Sequence, residues 1–142
     1  MKAYLDTSVI LRKLLGQPGA IKEWGRWDEG YTSEITRLES LRTLDRLRLE
    51  GKLQDEEVSE KMRLLGMVLE STGTIAINEA VLKAASQSFP TIIGSLDAIH
   101  LASALLCEQK IKGKLIILTH DVRLGIAAQA MGFQTRGLAS LS

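Results

Sequence analysis

Leu96-Asp97-Ala98-Ile99-His100-Leu101-Ala102-Ser103-Ala104-Leu105-Leu106-Cys107-Glu108-Gln109 is followed shortly by Leu115-Ile116-Ile117-Leu118 and then by Val122 to Met131. The first segment has helical apolar spacing. The second is a short, continuous apolar run of the kind a parallel sheet buries on both faces, and the third is helical again, with Gly132 ending it.

Working outward, Ala3-Tyr4-Leu5 is a strand running into Asp6, with a helix expected from Ser8 to Leu15. Pro18 suits the first turn of a second helix carrying Trp24 and Trp27. Tyr31-Thr32 reads as a brief strand, and Ser33 as the cap of a long helix reaching about Leu49, where Gly51 stops it. Asp55 is the expected N-cap of a helix from Glu56 to Glu70. Thr74-Ile75-Ala76-Ile77 reads as a strand, and Asn78 caps a helix to about Ser88, which Pro90 keeps from continuing. Phe133-Gln134-Thr135 could form an edge strand. Strands alternating with helices predict an α/β/α sandwich with a mostly parallel central sheet flanked by helices. The strand order is not readable from this pattern.

The 142 residues suit one domain, 1–142. Cys107 is the only cysteine, so no internal disulfide is possible, which suits a reducing compartment. An acid at position 6 interrupts any leader-like apolar run, Arg12 and Lys13 cut short Val9-Ile10-Leu11, and no stretch approaches the ~20 apolar residues of a membrane span. The expectation is a cytoplasmic protein with no membrane partner. The net charge of +1 gives no global support to nucleic-acid binding, so any such role must rest on local patches.

Parallel sheets bind ligands beyond the carboxyl ends of their strands. Asp6 and Asp121 both lie at such positions, although loop aspartates also serve as turn-formers and helix caps. Two of them at the ends of two apolar strands favour a shared site. Asp97 opens its helix and could be a first-turn acid stabilising it by about 0.5–2 kcal/mol. Ser95 could also cap that helix, leaving Asp97 free to face a ligand. Glu39 lies at the edge of an apolar stripe, where it could reach the sheet or pair with Arg42 or Thr43. Periodicity does not choose between Glu39 and Glu34.

Five stretches taken together resemble the PIN-domain nucleases, and in particular the VapC toxins of prokaryotic toxin–antitoxin pairs. They are Tyr4-Leu5-Asp6-Thr7-Ser8-Val9-Ile10, Ser33-Glu34-Ile35-Thr36-Arg37-Leu38-Glu39, Ser95 to Ala104, Leu118-Thr119-His120-Asp121-Val122-Arg123-Leu124, and Ala127 to Phe133. They occur in family order and with family-like spacing over nearly the whole chain; Lys52 to Pro90 matches no motif. The resemblance places Asp6, Glu39, Asp97 and Asp121 on the family's acidic quartet, and Thr7 and Thr119 on positions that support those acids.

It further implies an endoribonuclease that leaves 5′-phosphate and 3′-hydroxyl ends, a homodimer, and a protein antitoxin that blocks the acidic site with a basic side chain. Four carboxylates brought together repel unless a cation compensates, and hard oxygen ligands select Mg²⁺ or Mn²⁺ over zinc. Asp6 and Asp97 are expected to hold the metal, with Glu39 and Asp121 completing the site or orienting the attacking water.

RNA contacts would come from Arg12, Lys13, Arg37, Arg42, Arg46, Arg48 and Lys52. Arg42 and Arg46 share a helix face and are the leading pair, unless Glu39, Asp45 or Glu50 neutralises them. His120, beside Asp121, is a possible substrate contact, whereas His100 is expected to be structural, facing a polar neighbour. Trp24 and Trp27 fit the core or, if partly exposed, a groove for the antitoxin. Three rival readings remain: a haloacid-dehalogenase-type phosphatase, weakened by Ser8 where that family has a second Asp; a PIN-type RNA-processing nuclease; and an inert PIN-fold binding module.

Overall fold

The computed structural model describes residues 1–138, so the last four positions of the expected 1–142 domain lie outside the described residues. The elements in chain order are β1 (Lys2–Leu5), α1 (Thr7–Leu14), β2 (Glu29–Ser33), α2 (Ile35–Leu49), α3 (Asp55–Glu70), β3 (Gly73–Ile75), α4 (Glu79–Ala85), α5 (Ser95–Ile111), β4 (Leu115–Leu118), α6 (Val122–Ala130) and β5 (Gln134–Arg136). The strands form one five-stranded sheet in the order β3-β2-β1-β4-β5, and every pairing is parallel. The expected α/β sandwich is therefore present, with helices flanking an entirely parallel sheet.

Alternation along the strands divides the core in two. Tyr4 of β1 and Ile117 of β4 face Leu101 and Ala104 of α5 and Leu124 and Ala127 of α6. Ala3, Leu5 and Leu118 belong to the other cluster, with Val9 and Ile10 of α1 and Leu65 of α3. α2 packs against α1, α3 and α5.

The chain runs from β1 outward to β2 and β3, then returns across to β4 and β5 on the other side. The direction reverses between β1 and β4, the place where an open parallel sheet splays its loops and forms a crevice. Leu5 pairs with Leu118 at the last register of this seam, and the Asp6 N–H extends it by donating to the Leu118 carbonyl at 2.9 Å.

Several local expectations are corrected. The helix expected after Pro18 does not form; the segment is a series of turns, with Gly16, Gly19 and Gly25 all at positive φ, a conformation no helix accommodates. Trp24 and Trp27 are half-buried, stack edge-to-face at 5.4 Å and pack on the Leu5 side of the core. They also line a groove of about 790 Å³ with Tyr31 and Met67, at the amino-terminal ends of β2 and β3. Gln54, not Asp55, caps α3, sharing a capping box with Glu57. α4 stops at Ala85 instead of Ser88, and the residue preceding α5 is Gly94, so Ser95 is not its cap. Among the described residues, no helix is long and apolar enough to cross a membrane.

Gly137, just beyond β5, has φ of 103°, and a Cβ there would stand 2.6 Å from the Thr119 carbonyl oxygen. A rigid backbone atom is the obstacle, so Gly137→Ala is expected to cost about 2 kcal/mol or more in urea unfolding. A loss within about 0.5 kcal/mol, ordinary for surface substitutions, would contradict this account of the turn.

Candidate active site

Asp6 stands at the end of β1, only 5% exposed. Its Oδ2 accepts the Ser8 hydroxyl at 2.6 Å and the Thr119 hydroxyl at 2.8 Å. Ser8 Oγ in turn accepts the His120 N–H at 2.9 Å, and Thr119 Oγ1 accepts the Asp121 N–H at 3.0 Å. The loops after β1 and β4 are thus stitched together through one carboxylate oxygen. Asp6 Oδ1 is left with His100 Nε2 at 3.4 Å.

Glu39 is carried in from α2, whose buried residues are Ile35, Thr36, Ser40 and Leu44. Its Oε1 accepts from Thr7 Oγ1 and from His100 Nε2, both at 2.7 Å. Beneath it, Thr36 Oγ1 is 2.7 Å from Thr32 Oγ1, and Thr32 donates to the Leu5 carbonyl. Glu34 is engaged elsewhere. Its Oε2 accepts the Ile77 N–H at 2.9 Å, tying the start of α2 to the chain beyond β3. Position thus separates Glu39 from Glu34, which periodicity leaves equivalent.

Asp97 lies in the first turn of α5, and among the described residues no hydrogen bond engages its carboxylate. Asp121 precedes α6 and caps it, Oδ1 accepting the Leu124 N–H at 3.2 Å. Four separate segments thus bring the four acids to the carboxyl end of the central strands. Among the described residues no lysine or arginine pairs with any of them.

The electrostatics record that crowding. Burial, together with the charges of Asp121 and Asp6, pushes the Asp97 carboxyl up to about 6. Burial would also raise Glu39, but the hydrogen bond and charge of His100, helped by Thr7, bring it below the usual carboxylate value. For His100, burial opposes charge, yet the Glu39 hydrogen bond and the Asp6, Glu39 and Asp97 charges hold it above the ordinary histidine value.

His100 is the residue that sequence reasoning undervalues. It does face polar neighbours, as expected, but these include the site acids themselves. Its place three residues after Asp97 puts both on one face of α5, the available signal. Ser8 reads in the sequence as a helix start, a member of the Tyr4–Ile10 stretch and a departure from a phosphatase motif, but not as a partner of Asp6.

His120 turns toward the chain end. Its Nδ1–H donates to the Gly137 carbonyl at 2.7 Å, and burial lowers its pKa. Arg42 and Arg46 are exposed on α2 and paired with Asp45 at 3.5 Å and Glu50 at 3.3 Å. Arg12 borders His120 and has no carboxylate partner among the described residues.

An all-oxygen donor set suits a hard divalent cation, and the nearby imidazole is committed to Glu39. Among the described residues, no three His, Cys, Asp or Glu side chains stand as a ready-made ligand cluster. Mg²⁺ typically keeps several waters and takes only one or two carboxylates directly, so it does not require a ready-made cluster of three.

Because the folded-state value for Asp97 exceeds the unfolded one, the folded chain holds its proton more tightly between pH ~4 and ~6. Metal-free protein therefore loses stability from this group as pH rises through that window, and the penalty is complete above it. Asp97→Asn should stabilise the metal-free protein at pH 7.5 by about 1 kcal/mol, the half-exposed position screening the rest, with the gain vanishing near pH 4. Chemical unfolding at both pH values checks this; a variant no more stable than wild type at pH 7.5 would contradict it.

Comparison with known proteins adds the family. The model of the PIN domain matches residues 3–129. Ribonuclease VapC47 of Mycobacterium tuberculosis (strain CDC 1551 / Oshkosh) is 28% identical over 139 residues, covering 93% of each chain. Two solved structures share the fold. One is a toxin–antitoxin complex from Klebsiella pneumoniae, with TM-score 0.61 and 18% identity over 90% of this chain and 93% of that one. The other is FitAB bound to an IR36 DNA fragment, with TM-score 0.64 and 19% identity over 96% and 94%. The matched span runs from β1 into α6 and includes all four acids: the chain belongs to the PIN domain family.

Proposed function

We propose that the protein is a Mg²⁺- or Mn²⁺-dependent endoribonuclease and the toxin of a toxin–antitoxin pair, with Asp6, Glu39, Asp97 and Asp121 as its catalytic acids. The observation that carries this reading is the gathering of four carboxylates at the sheet's reversal point with no lysine or arginine among the described residues to neutralise them. Similarity to a VapC ribonuclease across nearly the full chain supports the choice of RNA and of the toxin role.

In this reading Asp6 and Asp97 hold the cation, directly or through water. Ser8 and Thr119 keep Asp6 Oδ2 occupied, so that Oδ1 is the oxygen available. Bound Mg²⁺ or Mn²⁺ supplies a lowered pKa for the attacking water and offsets charge on the phosphate. Glu39 and Asp121 complete the site and orient that water for in-line attack. The water oxygen bonds to phosphorus, the P–O3′ bond breaks, and the leaving oxygen takes a proton, leaving 5′-phosphate and 3′-hydroxyl ends.

Phosphates of the RNA would meet cations on the rim, with Arg12 joining Arg42 and Arg46 as candidates. His120 stays a candidate substrate contact, although its Nε2 is buried without a hydrogen-bond partner among the described residues. A homodimer in the cytoplasm, held in check by an antitoxin that places a basic side chain against the acids, completes the reading. The half-exposed Trp24–Trp27 pair lies at the opposite end of the strands, so that antitoxin segment would need to reach the acids by another path.

Induction of the wild type in bacteria should arrest growth and create discrete new 5′-phosphate ends in total RNA, while Asp6→Asn should do neither and fold normally. Glu34→Ala, outside the proposed machinery, should still cleave. Normal growth and no new ends from soluble wild type would remove the toxin reading for that host. Undiminished cleavage by Asp6→Asn would remove the assignment of the site.

A further inference from the structure

We infer that His100, oriented by Tyr4, is the positioning residue that decides which oxygen of Glu39 stays free of internal donors. This rests on the reading above, in which Glu39 belongs to a cation site.

Both residues are buried, each 1% exposed. The imidazole bridges two very different neighbours: Nε2 lies 2.7 Å from Glu39 Oε1, and Nδ1 lies 2.7 Å from the Tyr4 hydroxyl. A carboxylate only accepts, so Nε2 carries the proton that reaches Glu39. In the neutral ring Nδ1 is then the acceptor for the Tyr4 O–H. The Tyr4 and His100 rings meet edge to face, 5.9 Å apart at 78°, which holds the imidazole plane.

A glutamate side chain has three rotatable bonds, and one donor leaves it free to swing. Here two donors converge on Oε1 from different helices, Thr7 from α1 and His100 from α5, and Oε2 takes neither. Tyr4 otherwise belongs to the apolar cluster of Leu101 and Ile117, where a phenylalanine would pack as well and bury no hydroxyl. Ser33 and Ser103 also lie near that hydroxyl, but only His100 leads from it to an acid.

The two ends of the ring can be separated by amides. A glutamine at position 100 places its NH₂ where Nε2 stands and keeps the donor to Glu39. An asparagine reaches only the Nδ1 position, keeping the Tyr4 contact and losing Glu39. Mn²⁺ binding to the full chain, read by electron paramagnetic resonance, should rank wild type, then H100Q within about threefold, then H100N at least about tenfold weaker, the scale on which supporting hydrogen bonds to ligands act. A purely structural histidine gives the reverse order, since asparagine preserves its core contact. H100N binding as tightly as H100Q or wild type would overturn the inference.

Should H100N fail to fold, Tyr4→Phe, nearly isosteric, carries the test. It should weaken Mn²⁺ severalfold and broaden the His100 ring ¹⁵N signals from one tautomer to two; unchanged affinity with a single Nε2–H tautomer would overturn it. Wild type showing no Mn²⁺ binding that depends on Asp6 and Asp97 would overturn the cation-site reading and this inference together, an outcome distinct from either variant result.

Discussion

A carboxyl group taken almost entirely out of water must find its hydrogen bonds within the protein, and Asp6 at the end of the central strand imposes that demand on everything around it. The chain meets it with hydroxyls: Ser8 from the first turn of α1 and Thr119 from the loop after β4 share one oxygen of Asp6. Because each of those hydroxyls also accepts a backbone N–H from the β4–α6 loop, the same contacts set the path of the segment that carries Asp121. The parallel pairing of β1 with β4 brings these loops side by side, so the site depends on the sheet order and in turn locks the ends of its two central strands.

The remaining acids divide their oxygens in a related way. Glu39 gives Oε1 to Thr7 and His100, and Asp121 gives Oδ1 to the start of α6. Asp97 gives nothing, and its carboxyl is pushed toward protonation, up to about 6. Three acids are thus held in place by internal donors, while burial and then the charges of Asp121 and Asp6 raise the fourth. A divalent cation arriving among them would relieve that repulsion without any new framework being built.

The sheet is legible in the sequence because continuous apolar runs such as Leu115 to Leu118 are what a strand buried on both faces requires. Strand order is not, since it depends on which loops cross over, and no local pattern records that. Asp6 and Asp121 can be found as acids ending strands. Glu39 cannot be separated from Glu34 by periodicity because the inward face of α2 includes Thr36 and Ser40, which read as polar although they are buried. The distinction emerges only when Glu34 is seen holding the Ile77 N–H. The helix expected around Trp24 and Trp27 fails because Pro18 counts for less than three glycines that take left-handed backbone. The role of His100 is hidden because its partners, Tyr4 and Glu39, lie 96 and 61 residues away.

In the proposed reading the four carboxylates serve a hard divalent cation at the carboxyl end of β1 and β4. Crystals of the protein equilibrated with Mn²⁺ and measured for its anomalous signal test it most directly. The expected result is an anomalous peak within coordinating reach of Asp6 and Asp97, directly or through ordered water, and its loss in Asp6→Asn crystals. Saturating Mn²⁺ with no peak at the four acids, or with peaks only elsewhere on the surface, would contradict it.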